Sequence, residues 1–146
     1  AIAVELALAG AAAIHIVNRD EGRGGELAAL VSSRCRVPAT FHHWAEPYAV
    51  PAECDVLVNA TSVGYVDALA MPPIDLASLR PTLLVADVVV RSKTTPLLQL
   101  SAEQGCRTLD GLGMLVEQGA AAISRWTGVD PDRLVMRASL ERALTP

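Results

Sequence analysis

Four short stretches of this 146-residue sequence carry side chains or glycines suited to holding a ligand. The first is Asn18-Arg19-Asp20, with Arg23 one helical turn further on. A guanidinium presents a planar fork of donors to a phosphate and stacks on a purine. Arg19 and Arg23 could therefore grip a phosphorylated nucleoside, or simply be solvated surface charges. The second stretch is Asn59-Ala60-Thr61-Ser62-Val63-Gly64. Its small polar residues let a ligand approach the backbone at Thr61 and Ser62. The third is Asp87, inside an apolar run, where a carboxyl is costly unless hydrogen-bonded; holding a neighbouring loop is its default role. The fourth is Asp110-Gly111-Leu112-Gly113-Met114, followed by Gln118. Met114 and Gln118 are four apart and share a helical face. An amide there could bond a polyhydroxylated or carboxylate ligand; an ordinary helix-surface glutamine is the alternative.

The remaining reactive residue types are less suggestive. His15 reads as a packed strand residue, while His42 and His43 adjoin Trp44 in a poorly patterned region, and no histidine shows a nucleophile partner or metal-ligand spacing. Trp44 and Trp126 read as packing residues. Cys35, Cys54 and Cys106 are odd in number and far apart, so they fit neither a disulfide framework nor a metal-binding pair. No metal is expected.

The elements that must position these residues alternate. Ala1–Ala9 reads as a helix, apolar all round and so buried, stopped by Gly10. Ile14–Val17 reads as a strand and Glu21–Ser32 as a helix capped by Asp20, with Leu27, Leu30 and Val31 on one face. A weak strand lies near Ala39–His42 and a clear one at Asp55–Ala60. A helical turn falls near Ile74–Ser78, and Leu83–Val89 is a further buried strand. Thr95-Pro96 opens a helix in the favoured way, ending at Gln104-Gly105. Arg107–Leu109 is a short strand. A long helix follows from Gly111 to about Trp126, closed by Gly128, and Asp130-Pro131 starts the last helix. Such alternation predicts an α/β fold with a parallel sheet.

Composition narrows the function classes. Hydrophobic residues make up 51% and charged residues 19%, which excludes a disordered tail. Aromatics are only 3%, so the core must be aliphatic, as in a parallel sheet covered by helices. The net charge of −4 argues against nucleic acid as a partner. No apolar run approaches the ~20 residues of a membrane span. A cytoplasmic location is the plain expectation. In open parallel sheets ligands bind at the carboxyl ends of the strands. A carboxylate directly at the end of an early strand would bond a ribose 2′-hydroxyl, whereas an arginine accommodates a 2′-phosphate. With Asn18 and Arg19 first in line, the residues favour NADP over NAD.

Several segments together resemble the C-terminal, nucleotide-binding half of the shikimate/quinate dehydrogenase family. They are Asn18-Arg19-Asp20-x-x-Arg23, D-V-L-V-N-A-T-S-V-G at 55–64, T-P-L-L at 95–98, G-C-R-T-L-D-G-L-G-M-L-V-E-Q at 105–118 and W-T-G-V-D-P at 126–131. The resemblance implies a Rossmann-like doubly wound parallel sheet and hydride transfer between NADPH and 3-dehydroshikimate to give shikimate. It implies that Asn18, Arg19, Asp20 and Arg23 meet the adenosine 2′-phosphate. Val88 and Gly111 would approach the nicotinamide through their backbones, with Met114 beside them, and Gln118 would hydrogen-bond the substrate.

The departures from the family pattern carry further expectations. Asp20 stands where Thr or Ser is common, which weakens the expected NADP preference. Val90 stands where a Tyr is usual, Arg91-Ser92 where Asn-Pro is frequent, and Tyr65 where Met is common. They suggest a divergent subgroup acting on quinate or another shikimate-like hydroxylated acid; a non-catalytic binding module is the alternative from another class. The family's catalytic Lys and Asp, its first strand and its glycine-rich loop do not occur in this sequence. Its one lysine, Lys93, has no context that would make it a general acid. Residues 1–146 are therefore expected to be an N-terminally truncated NADP-binding domain, inactive and poorly soluble by itself. A homodimer remains open for the whole protein.

Overall fold

The computed structural model describes residues 1–91 and 94–144. Ser92 and Lys93 lie outside them. The chain divides into two compact units, residues 1–48 and 49–146.

Unit 1 is one strand–helix–strand motif preceded by a helix: α1 (Ile2–Leu8), β1 (Ile14–Asn18), α2 (Glu21–Leu30) and β2 (Ala39–His43). The two strands run parallel, with Ile14 opposite Ala39 and Asn18 opposite His43. Side chains alternate across a strand. Ile14 and Ile16 accordingly face the core with Ala7, Ala28 and Val31, and Phe41 packs against it. Helix α2 lies so close to β2 that a methyl group at Gly24 would overlap the Phe41 ring. Asp20 caps α2 by accepting from the Arg23 amide at 2.9 Å, as expected.

Two sequence expectations fail in this unit. Helix α1 buries only Ala7, and Leu8 is exposed; a helix of alanine and leucine can pack on one stripe while reading as apolar all round. Leu30 is also exposed, although Val31 is fully buried. Successive helical residues are separated by about 100°, so one flank of the apolar stripe turns outward.

Unit 2 contains β3 (Val56–Asn59), a 3₁₀ turn at Leu76–Ser78, β4 (Leu84–Asp87), α3 (Pro96–Glu103), β5 (Arg107–Leu109), α4 (Leu112–Thr127) and α5 (Arg133–Ala143). The strand order is β3-β4-β5, all parallel. Leu83, Val85, Leu97, Leu98 and Cys106 form the centre of its core with Val50 and Leu79. Burying each large aliphatic side chain contributes roughly 1.5–3 kcal/mol. Thr95 caps α3 and Pro96 occupies its first turn; Gly128, with φ +72, closes α4.

The last helix starts later than expected. Asp132 is its cap, accepting from the Leu134 and Val135 amides, while Asp130 pairs with Arg133 at 2.9 Å. Two aspartates flank Pro131, and the one after the proline has the extended backbone a cap requires. Trp126 does not pack: it is 81% exposed on the last turn of α4. Among the described residues no helix is long and apolar enough to cross a membrane, no cluster could hold a metal, and all three cysteines are free.

Candidate functional site

The carboxyl ends of β3 and β4 are held by a buried polar network. Asp87 is 3% exposed and accepts three hydrogen bonds: from Asn59 Nδ2 at 2.9 Å, the Val89 amide at 3.0 Å and Thr95 Oγ1 at 2.7 Å. Asn59 in turn accepts from the Thr61 amide and hydroxyl through Oδ1. Thr61 Oγ1 accepts from the Val63 amide at 3.1 Å. The carboxyl thus satisfies the start of α3 and the exit of β4, and through Asn59 orients the 60–63 turn. This is the loop-holding role expected of Asp87.

Above this network lies a crevice of about 630 Å³. Ala60, Thr61 and Ser62 come from the β3 turn, Val88, Val89 and Val90 from the β4 exit, and Met114 and Leu115 from the first turn of α4, with Tyr65 completing the lining. Gly111 belongs to the same construction. A Cβ there would stand 2.8 Å from the Val88 carbonyl oxygen and from Val90 Cγ2. Only a glycine lets the β5–α4 junction lie against the β4 exit. Asp110 accepts from the Leu112 amide at 3.0 Å and meets Arg137 of α5 at 3.3 Å. Arg133 ties α5 to Glu117 at 3.0 Å, and its bonds to Glu117 and Asp130 raise its pKa above the ordinary guanidinium value.

Thr61, Ser62, Val88, Gly111 and Met114 are therefore neighbours. Gln118 is exposed on α4, one turn beyond Met114, and is not part of the lining. The crevice also contains residues not singled out as ligand-binding. Tyr65 and Val90 line it together, and Arg91 donates from Nη1 to the carbonyls of Tyr65 and Val66 at 2.5 and 2.9 Å. Three positions where the sequence departs from the family pattern thus converge in space. That convergence was the available signal.

In unit 1 the β1–α2 turn presents a different chemistry. Asn18 Oδ1 accepts from the Asp20 amide at 3.0 Å, and Asp20 is used by the helix cap and by Arg23, 3.4 Å away. Asn18 and Asp20 shape the turn, while the Arg19 and Arg23 side chains point to solvent, that of Arg23 being 83% exposed. The opposite face of this sheet holds a pair the sequence did not suggest. His15 Nδ1 and His42 Nε2 are 2.9 Å apart with stacked rings, and Tyr48 meets His42 edge-on. Burial, followed by the charge of His15, lowers the His42 pKa from its ordinary 6.5.

Comparison with known proteins identifies this architecture. The sequence model of the family described as "Shikimate 5'-dehydrogenase C-terminal domain" matches residues 111–141. "Shikimate dehydrogenase (NADP(+))" of Rhodospirillum rubrum is 40% identical over 134 residues, covering 90% of this chain and 46% of that protein. The ligand-free 5-ketofructose reductase of a Gluconobacter strain is 43% identical with a TM-score of 0.90, covering 97% of this chain and 51% of that one. The shikimate 5-dehydrogenase of Listeria monocytogenes, solved with shikimate and NAD, is 30% identical with a TM-score of 0.83, covering 95% and 50%. The chain spans about half the length of the curated relatives it matches. With its parallel strands and Rossmann-like architecture, the chain is similar to the C-terminal half of shikimate dehydrogenases.

Proposed function

We propose that this chain is the cofactor-binding half of an NADP-dependent oxidoreductase of the shikimate dehydrogenase type, reducing 3-dehydroshikimate to shikimate. The observation that carries the reading is the Gly111–Val88 approach, which builds an apolar-walled crevice at the carboxyl ends of parallel strands, where such sheets bind ligands. A flat ring would lie against Val88, Val89 and Met114, and the exposed Ser62 would offer a hydroxyl at its edge. When bound there, NADPH supplies the hydride. Val88, Gly111 and Met114 would orient the nicotinamide and exclude water from one of its faces.

In unit 1, Arg19 and Arg23 would meet the 2′-phosphate at the N-terminus of α2, where the helix dipole favours negative charge. Asp20 weakens the preference for NADP over NAD, because its carboxylate caps α2 and sits 3.4 Å from Arg23, setting a negative charge beside the 2′-phosphate. Asn18 holds the turn. Gln118 would bond the substrate, and the general acid and base would come from the substrate domain of the whole protein. That domain, and a homodimer of the whole protein, are part of the proposal.

A second reading has its own support. The 43% identity and TM-score of 0.90 to a 5-ketofructose reductase, with Tyr65 and Val90 in the crevice, favour a neutral keto sugar as substrate; quinate is the corresponding alternative among the acids. The test is steady-state kinetics of the whole protein that carries this sequence. Shikimate and quinate would be offered with NADP, and 3-dehydroshikimate and 5-ketofructose with NADPH. Highest kcat/KM on the shikimate couple supports the first reading, and highest kcat/KM on 5-ketofructose transfers the assignment to the second. No turnover with any of them, and no NADPH binding, would leave the binding-module alternative.

A further inference from the structure

We propose that Tyr65 is a substrate-specificity residue of the crevice, its phenol bonding an uncharged oxygen of the substrate, and that Arg91 is the residue that positions it. The inference rests on the oxidoreductase reading and goes further, because it names the group that reads the substrate and the chemistry it reads. Of the described residues that line the crevice, only Thr61, Ser62 and Tyr65 carry polar side-chain atoms, and none is charged. Thr61 is already committed, donating to Asn59 at 2.7 Å and accepting from the Val63 amide. Ser62 is short and sits on the turn itself. Tyr65 is the one group whose hydroxyl stands well off the backbone, and its ring is 62% exposed.

A phenol combines an apolar body with a donor and acceptor at its tip, so against valine and methionine walls it orients a ligand through that tip. Among the described residues this lining holds no cation to pair with a carboxylate, so the phenol tip is assigned to a hydroxyl or carbonyl oxygen.

The position of Tyr65 is built, not incidental. Gly64 adopts φ +93, a conformation other residues rarely take, and its Cβ position is 3.3 Å from the Ala70 carbonyl. The Tyr65 amide donates to the Ser62 carbonyl at 3.0 Å, closing the turn. Arg91 then donates to two successive carbonyls, those of Tyr65 and Val66. Arg91 directly follows Val88–Val90, so the strand exit that walls the crevice also straps the turn that carries the phenol. A substitution at Arg91 would release Tyr65 without removing any lining atom.

The experiment uses the whole protein, its preferred substrate from the panel above, and the variants Tyr65→Phe, Arg91→Ala and Arg91→Lys. Tyr65→Phe is expected to raise KM for the carbonyl or alcohol substrate by about three- to tenfold, the worth of one neutral hydrogen bond. Neither kcat nor KM for NADPH should change beyond about twofold. Arg91→Ala should reproduce that pattern, add little in the double variant with Tyr65→Phe, and be partly rescued by Arg91→Lys. An active wild type with unchanged kinetics in Tyr65→Phe overturns the assignment of Tyr65 alone. A rise confined to KM for NADPH overturns it too, by moving the phenol to the cofactor. Additive losses in the double variant overturn the positioning role of Arg91. If the wild type turns over no member of the panel, the oxidoreductase reading fails and this inference fails with it.

Discussion

The two units shape the end of a parallel strand by opposite means. Unit 2 shapes its strand ends with a buried network, Asn59–Asp87–Thr95, and with a glycine pressed against the Val88 carbonyl. Unit 1 leaves the end of β1 to an Asx-type turn and to exposed guanidinium groups. Specificity built from buried hydrogen bonds and packing cannot change without cost to the fold. Specificity built from exposed charge can. On the proposed reading, the Gly111–Val88 crevice should therefore be brittle, and the Arg19–Arg23 turn tunable.

The sharpest way to break that contrast is Asp87→Leu. It strands the Val89 amide and the Thr95 hydroxyl in a buried site and leaves Asn59 Nδ2 only its 3.4 Å bond to the Val63 carbonyl. Removing one member of such a network is expected to cost about 3–5 kcal/mol. Urea unfolding of the whole protein should show the loss, and activity should vanish with it. If Asp87→Leu unfolds like the wild type, the network is not what holds the strand ends.

Gly111→Ala is the next largest effect. Its Cβ would meet a backbone carbonyl at 2.8 Å, which no side-chain rotation relieves, so overpacking of about 1–3 kcal/mol is expected. Because the clash lies at the crevice, kcat/KM should fall more than stability does. Equal losses would mean that the close approach serves packing alone.

How far these features were legible follows from how local their causes are. The apolar run Leu83–Ala86, the caps at Asp20 and Thr95 and the closing Gly128 each act within a few residues, and the structure places elements where those signals stand. Asp87 was legible because a carboxyl among valines has few uses. Choosing Asp132 over Asp130 as a cap required knowing the backbone on either side of Pro131. Trp126 is exposed because the pattern of α4 continues past the surface its neighbours cover. The His15–His42 contact and the Arg91 strap join residues 25 to 27 apart. Both depend on which strands and turns lie side by side, which no local pattern encodes.

At the tunable end, Arg19→Ala should raise KM for NADPH about tenfold while leaving NADH use nearly unchanged. The NADPH effect should shrink at high salt, since exposed charges are screened. Asp20→Ser sharpens the point. Serine is as good a cap as aspartate, so α2 should persist, while Arg23 loses its 3.4 Å partner and meets the phosphate unopposed. KM for NADPH should then fall by about twofold. A rise would mean that Asp20 contributes to the site directly.

The smallest effect concerns the far face of the unit 1 sheet. His15 Nδ1 and His42 Nε2 can share one proton at 2.9 Å, but two protonated rings would set N–H against N–H. Burial and the His15 charge accordingly hold the His42 pKa below 6.5. A base with a lowered folded-state pKa binds fewer protons folded than unfolded, so stability rises with pH across that interval. The contribution is complete above pH 6.5 and is lost as pH falls from there through the lower folded value. Thermal unfolding between pH 8 and pH 5 should show a decline on the acid side that His42→Asn flattens. An unchanged slope in His42→Asn would assign the acid sensitivity to other groups, and would leave the histidine pair a packing contact.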